Sequence, residues 1–213
     1  MPTVQARPTV LTRSGGLYRG RPGEAPSMAE ALRQCPASLL QAAAQLMAES
    51  GYVAMSMRQL ASRVGLLPGS LYHHVACKQD LLLTVLLDVV ERRIDAWHNG
   101  AYANDLNGFI RFMLRRQRSH PHESLLLRHE ARHLDGRQRR WLDQALGRLS
   151  LPLTHIIQAA QPRLADPQRT CLAMLTVIDA AGGMRHEPGH CDESWVEARV
   201  LAMCRALLQP CAV

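Results

Sequence analysis

From Pro36 onward the apolar residues fall into helical register. Leu39, Ala42, Ala43, Leu46 and Met47 recur at i, i+3, i+4, i+7 and i+8, one stripe of a helix. Gly51 is suited to end that helix. Ser56 is a good N-cap for a short second helix that turns Met57, Leu60, Ala61 and Val64 inward. Gly65-Leu66-Leu67 then makes a tight turn, and Pro68 fits the first position of a third helix with Leu71 and Val75 inward. Two short helices joined by a Gly-containing turn form a helix-turn-helix pattern. The outward residues of the third helix are Gly69, Ser70, Tyr72, His73 and His74. None is a carboxylate, which suits a surface lying against phosphates and base edges.

The rest of the chain reads as helices separated by punctuation. Leu82, Val85, Leu86 and Val89 give a fourth helix, closed near Asn99-Gly100. Further breaks are expected at His120-Pro121, at Leu134-Asp135-Gly136, from Pro162 to Pro167 and at Glu187-Pro188-Gly189. A helix starting near Arg137 should be kinked by Pro152. The expected fold is all-α, with about nine helices. Three regions are distinguished: a basic N-terminal arm (1–30), the helix-turn-helix region (31–79) and a larger helical domain (80–213).

Composition supports this and narrows the function. Of 213 residues 47% are hydrophobic, yet only two are Phe, so the core must be aliphatic. Leu and Ala dominate, and helix is their natural conformation. The net charge is +7, carried almost wholly by arginine, since Lys78 is the single lysine. A basic chain of this kind is a plausible partner for nucleic acid. The arm is rich in Gly and Pro and carries Arg7, Arg13, Arg19 and Arg21, a supply of phosphate contacts. The six cysteines have no C-x-x-C spacing, and no secretory signal precedes them, so neither a disulfide framework nor a zinc ribbon is expected. The longest apolar run, Leu81 to Leu87, is too short to span a bilayer. A cytoplasmic location follows as an expectation.

Residues 39 to 82, LLQAAAQLMAESGYVAMSMRQLASRVGLLPGSLYHHVACKQDLL, resemble the DNA-binding domain of the TetR family of bacterial repressors. The matching positions are Ala42-Ala43, Gly51-Tyr52, Ser56, Leu60-Ala61, Gly65, Gly69-Ser70-Leu71-Tyr72, Lys78 and Leu81. The resemblance implies that Ser56 caps the second helix and touches a phosphate, and that Arg58 contacts DNA. It implies that Ser70 faces the major groove, with Pro68 and Gly69 permitting close approach. Tyr72 and His74 would hold phosphates beside the outward His73, and Lys78 would reach another. Leu67 departs from the pattern, standing where the family has a capping Ser or Thr. No Arg, Asn or Gln lies outward on the third helix, so direct base reading should be thin and DNA shape important. The resemblance further implies a homodimer on palindromic operator DNA. The last two long helices, near Pro167 to Arg185 and Asp192 to Leu208, would pair through a face near Cys171, Leu175, Ile178, Trp195, Val200, Leu201 and Leu208.

HEARHLDG, residues 129 to 136, spells the H-E-x-x-H of zinc hydrolases. A catalytic zinc needs a third protein ligand, and where H-x-x-G-x-x-H would place it stands Arg139, among Arg128, Arg132, Arg137 and Arg140. Positive charge there opposes a dication. A helical surface is the reading favoured over His129, Glu130 and His133 as an active site; the chain is expected to be no enzyme and to need no metal or cofactor. Between Arg111 and Arg140 there are nine arginines against Glu123, Glu130 and Asp135. The stretches LLLRHEARHLDGRQRRWLD and MLTVIDAAGGMRHEPGHCDESW resemble family members that govern fatty-acid and sterol breakdown and respond to acyl-CoA thioesters. Met184 to Glu187 replace the aromatic pair such members carry. The expected ligand is a small hydrophobic effector, an acyl-CoA by this resemblance. Its apolar part would be enclosed by Phe109, Met113, Trp141, Leu142, Leu146, Met174 and Ile178, with arginines near its phosphates. A regulator without a small-molecule ligand is the remaining alternative.

Overall fold

The computed structural model describes residues 35–184 and 192–209. The basic arm and the break at Glu187-Pro188-Gly189 lie outside the described residues. Those described form nine α-helices and no strand. In chain order they are α1 (Ala37–Ala54), α2 (Met57–Arg63), α3 (Pro68–Leu71), α4 (Lys78–Asn99), α5 (Leu106–Ser119), α6 (Pro121–Leu125), α7 (Gly136–Ala160), α8 (Pro167–Met184) and α9 (Glu193–Ala206). A π turn (Leu126–Glu130) and a 3-10 turn (Ala131–His133) join α6 to α7. Among the described residues no helix is long and apolar enough to cross a membrane.

Local chemistry sets most of the boundaries. The Ser56 hydroxyl accepts from Gln59 N–H at 3.2 Å while the Gln59 side chain accepts from Ser56 N–H at 2.8 Å, a reciprocal cap on α2. Asp135 and Gln138 do the same for α7, so Gly136 opens that helix and plays no part in a ligand motif. Gly51 lies at φ 80°, ψ 154°, a conformation open in practice only to glycine, and it breaks α1 without ending its last turn. Gly108 is required for a different reason, because a Cβ there would meet the Ala103 carbonyl oxygen at 2.0 Å. Pro152 sits inside α7, which runs on to Ala160.

Two apolar clusters hold the helices. In the first, Leu39, Leu40 and Met47 of α1, Leu60 of α2 and Leu71 join Leu81 to Val90 of α4 and Leu142, Ala145 and Leu149 of α7. It crosses residue 80 without a break, so α4 is core to the helix-turn-helix head and to the body alike. In the second, Phe109, Ile110, Phe112 and Met113 of α5 meet the C-terminal half of α7, Met174 and Ile178 of α8, and Val196 and Val200 of α9. Each leucine-sized side chain sealed in this way contributes roughly 1.5–3 kcal/mol.

The body also encloses a charge cluster. Glu123 of α6, with no exposed surface, accepts from Arg93 Nε at 3.1 Å and from Arg116 Nε and Nη2 at 3.0 and 2.7 Å. Arg93 donates further to the Ser124 hydroxyl at 3.0 Å. Helices α4, α5 and α6 are thereby tied at one buried carboxylate.

Candidate nucleic-acid interface

The nine residues singled out for DNA contact all lie between Ser56, the N-cap of α2, and Lys78, the first residue of α4, and none is buried. Ser56, Arg58, Pro68, Gly69, Tyr72 and His73 are exposed, and Ser70, His74 and Lys78 are partly so. The hydroxyl of Ser56 is engaged as the α2 cap. The two arginines of α2 differ. Arg63 is held by Glu49 at 3.0 Å, whereas Arg58 meets no carboxylate among the described residues and keeps its charge for an outside anion. Lys78 Nζ donates to the Val53 carbonyl at 3.0 Å and lies 4.6 Å from the centre of the Tyr52 ring. Burial lowers its pKa. Its remaining donor positions can still serve a phosphate. The N-cap of the third helix is Leu67, whose side chain makes no capping bond, as the departure from the family pattern implies.

The HEARH segment has a role that the sequence did not reveal. It is no regular α-helix, and its wide π turn carries Glu130 inward, where Glu130 Oε2 accepts from Tyr52 N–H at 3.2 Å. His133 lies 3.5 Å from the same oxygen, and its ring centre is 5.1 Å from that of Tyr52. Gln79 donates to the His133 carbonyl at 3.2 Å, and Gln138 to Asp80 at 3.1 Å. This clasp fastens the head to the body beside Gly51. Reading the motif as a helical surface therefore fails at Glu130, which the π turn buries; His129 stays exposed. Among the described residues no three His, Cys, Asp or Glu side chains converge to hold a metal.

The suggested ligand liners are not brought together as one set. Phe109, Met113, Met174 and Ile178 share the second cluster, while Leu142, with Trp141 and Leu146 packed against it, belongs to the first. A cleft of about 610 Å³ is instead lined by Ile94, Trp97 and His98 at the far end of α4, by Tyr102, and by Arg148, Leu151, Pro152 and His155 of α7. Several arginines from 111 to 140 are committed elsewhere. Arg111 and Arg118 pair with Glu197 and Glu193 of α9, Arg128 with Asp179 of α8, Arg139 with Asp143, and Arg116 with buried Glu123.

Residues 39–85 match the family model described as bacterial regulatory proteins, tetR family. The helix-turn-helix region of the chain is similar to that family's. It is 38% identical over 69 residues to the HTH-type transcriptional repressor KstR2 of Mycolicibacterium smegmatis. That match spans 32% of this chain and only about a third, 31%, of the relative. Among solved structures, this chain resembles AibR in complex with isovaleryl coenzyme A and operator DNA, at 21% identity and TM-score 0.64, over 82% of this chain and 97% of that one. It also resembles the fatty acid degradation regulator FadR from Bacillus halodurans, at 15% identity and TM-score 0.64, over 85% and 96% of the two chains. At such identities these two likenesses establish the fold.

Proposed function

We propose that this chain is a tetR-family repressor that binds a palindromic operator as a homodimer and leaves it when a small acyl-CoA-class effector binds the body. The observation that carries the DNA-binding part is the head itself: a reciprocally capped α2, a tight turn and an exposed α3, together with Arg58, which meets no carboxylate among the described residues, and Lys78. A single recognition helix spans few base pairs, and two-fold operators mirror two-fold proteins. Leu172 of α8, Trp195 and Met203 of α9 and Leu207, its C-cap, leave exposed apolar surface for a second copy. Cys171, Ile178 and Val200 face into their own chain. The relatives' acyl-CoA complex and fatty-acid role support the effector class. The reading is of a cytoplasmic protein that is no enzyme.

The cleft beside Trp97 is the effector site of this reading, in place of the two apolar cores. Its volume falls within the roughly 300–1,000 Å³ of ordinary ligand sites. Apolar Leu151 and Pro152 and the rings of Trp97 and Tyr102 suit an acyl chain, while His155 and the donors that Arg148 keeps beyond its pair with Glu91 can serve a polar head. Helix α4 runs from this cleft to Lys78, 22 residues or about 33 Å. A ligand that tilts its far end shifts the head, held by the Glu130 clasp, and changes the spacing of the two reading heads.

The test is release of operator DNA by acyl-CoA thioesters and by the matching free acids. Thioesters should release at micromolar levels and free acids more weakly. Leu151→Glu, at an exposed wall of the cleft, should raise the required thioester concentration about tenfold, leaving operator affinity unchanged. Equal release by acid and thioester, or by neither, overturns the acyl-CoA assignment.

A further inference from the structure

The third helix has no side chain able to pair bidentately with a base edge, for Arg, Lys, Asn and Gln are all absent from Pro68 to Val75. Sequence reading there must use another chemistry. Leu67, the N-cap of α3, is 76% exposed, more than any other large hydrophobic side chain among the described residues. It makes no capping hydrogen bond, so the position forgoes what a Ser or Thr would supply. It is followed by Pro68, which has no N–H, and Gly69, which has no Cβ, so nothing adjacent bars close approach. Exposed Arg58 on the preceding helix and partly exposed Lys78 at the start of α4 supply positive charge in the same head.

We propose that Leu67 is a base-reading residue whose isobutyl group packs on the C5-methyl of a thymine in each operator half-site. The inference rests on the operator-binding reading above. It follows from two physical facts. Residues at the N-terminal end of a recognition helix are the ones that reach base edges. Of the four bases, only thymine presents an apolar group in the major groove. An exposed leucine at that end is therefore matched to one base. Loss of the cap is the counterpart of that readout.

The experiment uses the full chain and an operator selected from random duplexes, with its thymines replaced one at a time by deoxyuridine, which removes only the methyl group. At one thymine per half-site the wild type should bind about fourfold more weakly per methyl lost, the worth of one buried methyl-sized group. Leu67→Ala should bind the thymine and deoxyuridine forms of that operator equally. Leu67→Ser should be equally blind to the methyl while melting no lower than wild type, because the hydroxyl restores a cap; this separates lost readout from lost fold. The proposal is overturned if no thymine responds in the wild type, or if Leu67→Ala responds as the wild type does. An operator that is selected but read without methyl dependence sinks this inference alone, whereas failure to select any operator sinks the DNA-binding reading with it.

Discussion

Glu123→Ala is expected to lower the folding free energy by about 3–5 kcal/mol, the usual result of stranding buried cations by removing their partner. Arg93 is buried and Arg116 nearly so, and the Glu123 carboxylate is the acceptor they share. Denaturant unfolding at neutral pH measures the loss; a change below about 1 kcal/mol would show that water or other acceptors can replace the carboxylate. Glu123→Gln, which keeps the shape, should fall between the two. Acid adds an independent signature. Burial alone would raise the Glu123 pKa, but the bonds and charges of Arg116 and Arg93 outweigh it and hold the carboxyl below its ordinary 4.5. A carboxylate depressed on folding stabilises above its unfolded pKa, and that contribution is lost as pH falls through the folded value. His120 and His122 lie alongside, lowered from 6.5 chiefly by burial, so acidification below 6.5 also favours the unfolded chain. Wild-type stability should therefore decline in two stages, below about pH 6.5 and again below about pH 4.5. Glu123→Gln should retain the first stage and lose the second.

The second large effect concerns salt. If the dimer makes about six to ten phosphate contacts, its operator affinity should fall by roughly 10³ to 10⁵ between 50 and 200 mM salt. Arg58→Ala and Lys78→Ala should each flatten the log–log slope by about one per head, on operator and on random DNA alike. Tyr72→Phe should weaken binding to all sequences, whereas Ser70→Ala should change sequence preference. Because Lys78 also bonds the Val53 carbonyl and lies against Tyr52, its variant needs a melting curve beside the titration. Removing residues 1–28 takes away Arg7, Arg13, Arg19 and Arg21 and should flatten the slope further. Slopes untouched by all three changes would mean that the phosphates are held by some other surface.

The features legible in the sequence were those decided within a few residues. The Ser56 cap, the Asp135-Gly136 start, the His120-Pro121 stop and the uncapped Leu67 all depend on side chains acting on their own backbone. The π turn was not legible, because what turns Glu130 inward is Tyr52, 78 positions away. The arginines between 111 and 140 looked like one reservoir of charge, yet Arg111 finds Glu197, 86 residues on, and Arg128 finds Asp179. Periodicity likewise marked Leu142 and Phe109 as inward-facing without revealing that they enter different cores. The cleft at Trp97 escaped notice because its walls come from the end of α4, the loop carrying Tyr102 and the middle of α7.

The central claim is that two heads read one two-fold DNA site. It is tested most directly by incubating the purified protein with fragmented genomic DNA, sequencing what it retains, and weighing the complex on the shortest retained duplex. The account predicts an inverted repeat with half-site centres one helical turn or a multiple apart, occupied by two chains. Retention without any enriched sequence, or one chain on an asymmetric site, would contradict it.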